Sequence, residues 1–139
     1  MLRFRLLHPE IARALGSAGH GSKVLVADAN YPFVTGANRE AARVYLNLAP
    51  GLVSATDVLK VLVEAIPVEA AEVMTPGGEA EPPIFGEFRQ ILGPGLPLRP
   101  LGRAEFYGAS RGADTALVIA TGERRIYANV LLTIGVVMP

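Results

Sequence analysis

A chain of 139 residues without cysteine is long enough to bury one core unaided, and it can hold no disulfide, thiolate zinc site or cysteine nucleophile. Thirteen Lys/Arg balance thirteen Asp/Glu, so the concentrated positive field that phosphate backbones require is missing and nucleic acid is an unfavoured partner. Half the residues are hydrophobic and mean hydropathy is +0.34, yet no run approaches the ~20 apolar residues of a membrane span, which leaves buried strands and a subunit interface to absorb the apolar surplus.

The N-terminal MLRFRLLHPEIARAL lacks a signal peptide's long apolar region and small-residue cleavage site, so a cytoplasmic location is expected. Pro9 suits a first helical turn, and Glu10–Leu15 places Ile11, Ala14 and Leu15 on one face of a helix that Gly16 and Gly19 should end. Lys23–Ala27 (KVLVA) predicts a short buried strand, and Asp28–Pro32 (DANYP) a turn. Arg43–Leu48 predicts a second strand. Ser54–Ala65 predicts a helix with Ser54, Thr56 or Asp57 as its cap, stopped by Pro67, and Val68–Met74 the next strand. Residues 75–83, rich in Pro, Gly and Glu, read as a loop. Ile84–Leu92 predicts a helix, and residues 93–100 form a second Pro/Gly stretch leading into a short strand. Arg103–Ala109 predicts a short helix, Thr115–Ala120 a buried strand, and Tyr127–Val137 contains the last strand. One domain over 1–139 follows, an α/β sandwich of three layers with a mainly parallel central sheet. Ligands of such sheets bind beyond the carboxyl ends of the strands, which directs attention to the segments after Ala27, Met74 and Ala120.

Few residues in those segments carry chemistry. Of the two histidines, His8 reads as a solvated residue at a helix start. His20 lies between Gly19 and Gly21, where the backbone is free to approach a ligand; the alternative is a turn histidine with its ring in water. Asp28 can bind a hydroxyl or orient an imidazole, or it can cap its own turn. His20 and Asp28 flank the same strand, about 15 Å apart at ~3.3 Å per residue, so contact requires a folded-back loop or a neighbouring chain. Tyr127 and Asn129 offer a phenol and an amide to sugar hydroxyls, or serve as core and turn residues. Arg103, just before Phe106–Tyr107, offers a guanidinium to a hydroxyl or anion, or is surface charge. Thr121–Arg125 (TGERR) reads as a tight surface turn with solvated charges. No phosphate-loop signature or metal-ligand spacing occurs.

In order and spacing these fragments resemble the D-ribose pyranase / L-fucose mutarotase family: Gly19-His20-Gly21, an apolar strand, Asp28-Ala29-x-x-Pro32, Phe106-Tyr107, Thr121-Gly122-Glu123-Arg124, Tyr127-x-Asn129 and Gly135-Val136. Arg103, the Phe-Tyr pair and the TGER run resemble the fucose branch more than the ribose branch. The resemblance implies a cofactor-free isomerase acting on a monosaccharide, with His20 as proton donor, Asp28, Arg103, Tyr127 and Asn129 as sugar-binding residues, and Ala128 contributing backbone. It also implies a ring-shaped homo-oligomer, often a decamer, with sites near subunit contacts. Tyr127 is a candidate second proton relay and Tyr107 a candidate stacking surface for the sugar. A group with pKa near 6.5 can both take and give a proton at neutral pH, which suits ring opening and reclosure at His20. The rival expectation is a non-catalytic sugar-binding or structural ring protein on the same scaffold. The Gly/Pro-rich segments 77–83 and 93–97 depart from the family pattern and put sugar preference in doubt.

Overall fold

Six strands form one sheet in the order β2-β5-β1-β6-β3-β4: β1 Lys23–Ala27, β2 Ala42–Tyr45, β3 Val68–Met74, β4 Leu98–Leu101, β5 Thr115–Ala120 and β6 Val130–Ile134. Four helices, α1 Pro9–Ser17, α2 Ala55–Ala65, α3 Ile84–Leu92 and α4 Arg103–Arg111, complete the computed structural model, which describes residues 1–78 and 80–139. Position 79, inside the loop expected over 75–83, lies outside the described residues. β1 with β5, β2 with β5, and β3 with β4 are parallel, whereas β6 runs antiparallel to both β1 and β3. The segment joining β5 to β6, residues 121–129, is shorter than the dozen or more residues a parallel crossover needs, so the chain returns in the opposite direction. β4 is an edge strand, which is why Pro100 is tolerated there.

The sheet divides two apolar layers. Val24, Val26, Leu117, Ile119, Leu132, Ala71 and Val73 face α1, α2 and α3, which contribute Ile11, Leu59, Leu62 and Phe88. The alternate residues Leu25, Ala27, Val118 and Leu131 face α4 and the loop after β1, which contribute Phe106, Tyr31, Ala37 and Ala41. This is the period-two side-chain alternation of a sheet buried on both faces. α2 begins with a capping box: Asp57 N–H donates to Ser54 Oγ at 3.1 Å, and Ser54 N–H donates back to Asp57 Oδ2 at 3.3 Å. Among the described residues no helix is long and apolar enough to cross a membrane.

Several boundaries differ from expectation: β2 is Ala42–Tyr45 rather than Arg43–Leu48, and α4 runs to Arg111 rather than Ala109. Gly16 lies inside α1, whose end is instead at Ala18, where the cap N–H donates to Ala14 O at 3.1 Å; a single glycine costs less than the carbonyl partner gained. The last strand, Val130–Ile134, lies inside the expected Tyr127–Val137, and Tyr127–Asn129 precede it at the cleft described next.

Candidate active site

All five parallel strands end on one side of the sheet, and β6 begins there. A cleft of about 240 Å³ opens at this edge, lined by Asp28, Asn30 and Tyr31 after β1, Met74 at the end of β3, Arg103 and Tyr107 on α4, and Ile126, Tyr127 and Asn129 ahead of β6. Asp28, Arg103, Tyr107, Tyr127 and Asn129, scattered over a hundred positions of sequence, therefore converge as the sequence reading expected of a carboxyl-end site.

The floor is a reciprocal lock. Asp28 N–H donates to Asn129 Oδ1 at 2.8 Å, and Asn129 Nδ2 donates to Asp28 Oδ2 at 3.0 Å. This pairing fixes which way the Asn129 amide faces. Asn30 N–H donates to Asp28 Oδ1 at 2.9 Å, so Asp28 makes the Asx turn and also lines the cleft; the two alternatives open in the sequence coexist. Asp28 is only 3 % exposed, and burial pushes its carboxyl above the usual value, against the hydrogen bonds from the Asn30 and Ala128 backbone and the Asn129 side chain.

Aromatic rings form one wall. Tyr31 is buried, donates its phenol proton to Gly36 O at 2.7 Å, and meets Tyr107 at 5.4 Å and Phe106 at 6.2 Å between centroids. Burial pushes the Tyr31 phenol up to about 12, so it stays a neutral donor. The Arg103 guanidinium lies 5.6 Å and that of Arg111 5.2 Å from the Tyr107 ring centre, a cation–π arrangement that fixes the ring and leaves Arg103 exposed at the cleft. Tyr127 has φ 60, a left-handed backbone that an aromatic residue rarely adopts. It is kept there because the residues that follow, Ala128 and Asn129, are clamped and buried.

The TGERR run is scaffold rather than a solvated turn, which corrects the sequence expectation. Glu123 is 4 % exposed. Arg125 donates to both its carboxylate oxygens, at 2.9 and 2.8 Å, and holds the carboxyl down at about 2. Thr121 Oγ1 donates to Ala27 O at 2.7 Å, and Ala29 N–H donates to Glu123 O at 3.0 Å, tying this run to the segment that carries Asp28. At Gly122 a Cβ would stand 1.8 Å from Leu52 O, so no other residue fits beneath the 49–53 loop. The charge pair was invisible in sequence because neighbouring Glu and Arg residues are ordinarily solvated; only the packing of residues 49–55 over Glu123 removes its water, while Arg125 stays exposed.

His20 is elsewhere. It precedes β1, is exposed, and its Nε2 lies 3.0 Å from Glu69 Oε2 at the start of β3. The structure does not bring it into the cleft of its own chain, because β1 runs straight between the two. Sequence reasoning missed Asn30, Tyr31, Met74 and Ile126 as lining residues. The first two belong to the run read only as a turn, although they follow directly on a strand's carboxyl end. Among the described residues no three His, Asp or Glu side chains gather as a metal site.

Residues 1–137 match the model of the RbsD / FucU transport protein family. The chain is 36% identical over 138 residues to a D-ribose pyranase of Paracidovorax citrulli, covering 98% of both, and 35% identical over 136 residues to one of Streptomyces avermitilis, again covering 98% of both. Its structure superposes on that of Bacillus subtilis RbsD complexed with D-ribose at TM-score 0.84 and 29% identity, covering 99% of this chain and 100% of the other. It superposes on a fucose mutarotase of Streptococcus pneumoniae in complex with L-fucose at TM-score 0.81 and 25% identity, with the same coverage.

Proposed function

The chain belongs to the RbsD / FucU family, and on that premise we propose that it is a cofactor-independent mutarotase of a free monosaccharide. The observation that carries this reading is the Asp28–Asn129 lock with Tyr127 and Arg103 around it: fixed acceptors and donors in a small cleft, suited to hydroxyls. At about 240 Å³ the cleft lies below the roughly 300–1,000 Å³ of drug-sized pockets, which fits one sugar ring.

Ring opening moves two protons. A base takes the proton of the anomeric hydroxyl, the bond from C1 to the ring oxygen breaks to give the aldehyde, and the ring oxygen receives a proton. Reclosure from the other face inverts C1, and reclosure by a different hydroxyl exchanges pyranose and furanose. His20 serves as acid and base, with Tyr127 as second relay. Asp28, Asn129 and the Ala128 backbone hold hydroxyls, Arg103 binds a further one, and Tyr107 stacks against the apolar face of the ring.

His20 reaches the sugar from a neighbouring copy. It sits at the amino end of β1, and the cleft at the carboxyl end. Exposed Val137 and Met138, 78 % and 77 %, lie just beyond the Ile134 carbonyl that accepts from Gly21 N–H, beside His20. Exposed Ile126 borders the cleft. Head-to-tail contact of these two ends is heterologous and closes into a ring.

D-ribose and L-fucose are the sugars to test. The names of the relatives favour ribose. The Arg103 guanidinium, with Met74 and Ile126 available to a 6-deoxy methyl group, favours L-fucose. Saturation-transfer NMR of anomer exchange on both should show faster exchange with the wild type and none above background with His20→Ala. Sugar binding without faster exchange would favour the non-catalytic reading instead.

A further inference from the structure

We infer that Glu69 is a positioning residue for His20, setting the orientation of its ring and leaving one nitrogen free for proton transfer. The inference rests on the reading of His20 as the proton-transfer group. Glu69 Oε2 lies 3.0 Å from His20 Nε2. A carboxylate only accepts, so the Nε2 proton is donated to Glu69 and Nδ1 carries the free lone pair, the one available to a sugar hydroxyl.

The carboxylate is itself held. A Cβ built on Gly135 would lie 3.2 Å from Glu69 Cβ and 3.5 Å from Oε2, so the Glu69 side chain occupies a notch that a glycine leaves open. Gly135 N–H donates to Pro67 O at 2.8 Å, fastening the end of β6 to the start of β3. Gly21 N–H donates to Ile134 O at 2.9 Å, fastening the histidine loop to the same place. Three segments remote in sequence thus meet where the carboxylate touches the imidazole. Both side chains remain about half exposed, 59% for His20 and 44% for Glu69. A pair this wet adds little to folding, so its geometric support points to a role other than stability.

The test compares Glu69→Ala, Glu69→Gln and His20→Ala as full-length protein, reading kcat and KM for anomer exchange together with melting temperature and oligomer size. The expected result is a fall in kcat of about 10–100-fold in Glu69→Ala, the size of loss that follows when a metal-bound histidine loses its orienting partner. KM, melting and assembly stay unchanged, and Glu69→Gln, which keeps an acceptor at the same place, recovers part of kcat. His20→Ala with Glu69→Ala falls no further than His20→Ala alone. Wild-type kcat in Glu69→Ala beside an inactive His20→Ala overturns this inference and leaves the role of His20 standing. A loss that tracks lower melting or a broken assembly overturns it as well. Full activity in His20→Ala overturns the parent reading.

Discussion

The two ends of β1 are built to different standards. At the carboxyl end Asp28 is almost fully buried, every polar atom of the lock is paired, and the backbone beyond is clamped by Thr121 and Glu123. At the amino end His20 and Glu69 stand half in water, joined by one bond and steadied by glycine contacts. One end is pre-organised, since its groups are already desolvated and aimed. The other is open, as a group must be if it is to meet a substrate held by a different copy. On the proposed function, a site divided this way would bind sugar in a single chain and turn it over only in an assembly.

The comparison breaks or sharpens under four measurements. The largest effect is expected in His20→Ala, where exchange falls by the 10²–10⁴-fold typical of a positioned acid–base group, while sugar affinity by calorimetry stays near wild type. A parallel loss of affinity would mean that the two ends do not divide the work. Next, equal mixing of His20→Ala and Asp28→Ala subunits, after dissociation and reassembly, should restore about a quarter of wild-type exchange, because one interface in four pairs an intact cleft with an intact histidine in a heterologous ring. No recovery in reassembled mixtures would place both groups in one chain's site.

Asp28→Ala should abolish sugar binding and lower stability by about 1–3 kcal/mol, since Asn129 is left buried with an unpaired amide. His20→Ala, at the exposed end, should change melting little; similar losses in the two variants would erase the contrast in build. The smallest effect concerns acid. Glu123 is held at about 2 against an ordinary value of 4.5, so its contribution is complete above the unfolded value and drains as pH falls from about 4.5 to 2. Asp28 is shifted upward and works in the opposite sense, its ionised form disfavoured by the fold as pH rises through its range. Glu123→Gln should therefore flatten the acid limb of a stability-versus-pH curve, and an unchanged limb would assign acid sensitivity to other groups.

How much of this was legible varies by element. β3, α3 and β5 occupy the spans their patterns announce, Val68–Met74, Ile84–Leu92 and Thr115–Ala120, because a bounded apolar run or a helical stripe is a local property. α1 ran through Gly16, since a carbonyl partner two residues further outweighed one weak helix former. In the site, Asp28, Arg103, Tyr107, Tyr127 and Asn129 were identified and do converge. Asn30 and Tyr31 passed as turn chemistry, and Glu69 passed as one more charge in a strand, since nothing in VEAAEVM says that its second residue points at a histidine loop 49 positions earlier.

By itself the sequence determined the element types, the α/β class, the family resemblance and which polar residues follow the strands that end at the cleft. These depend on short-range periodicity, on turn chemistry and on which residue types follow a strand. Tertiary structure alone decided that β6 turns back between β1 and β3, that Glu123 is a buried partner of Arg125, that Tyr127 takes a left-handed backbone, and that His20 stands a strand's length from the cleft. The reason is the same in each case: pairing, burial and separation are relations between distant segments, and they acquire values only when the sheet brings those segments to fixed places.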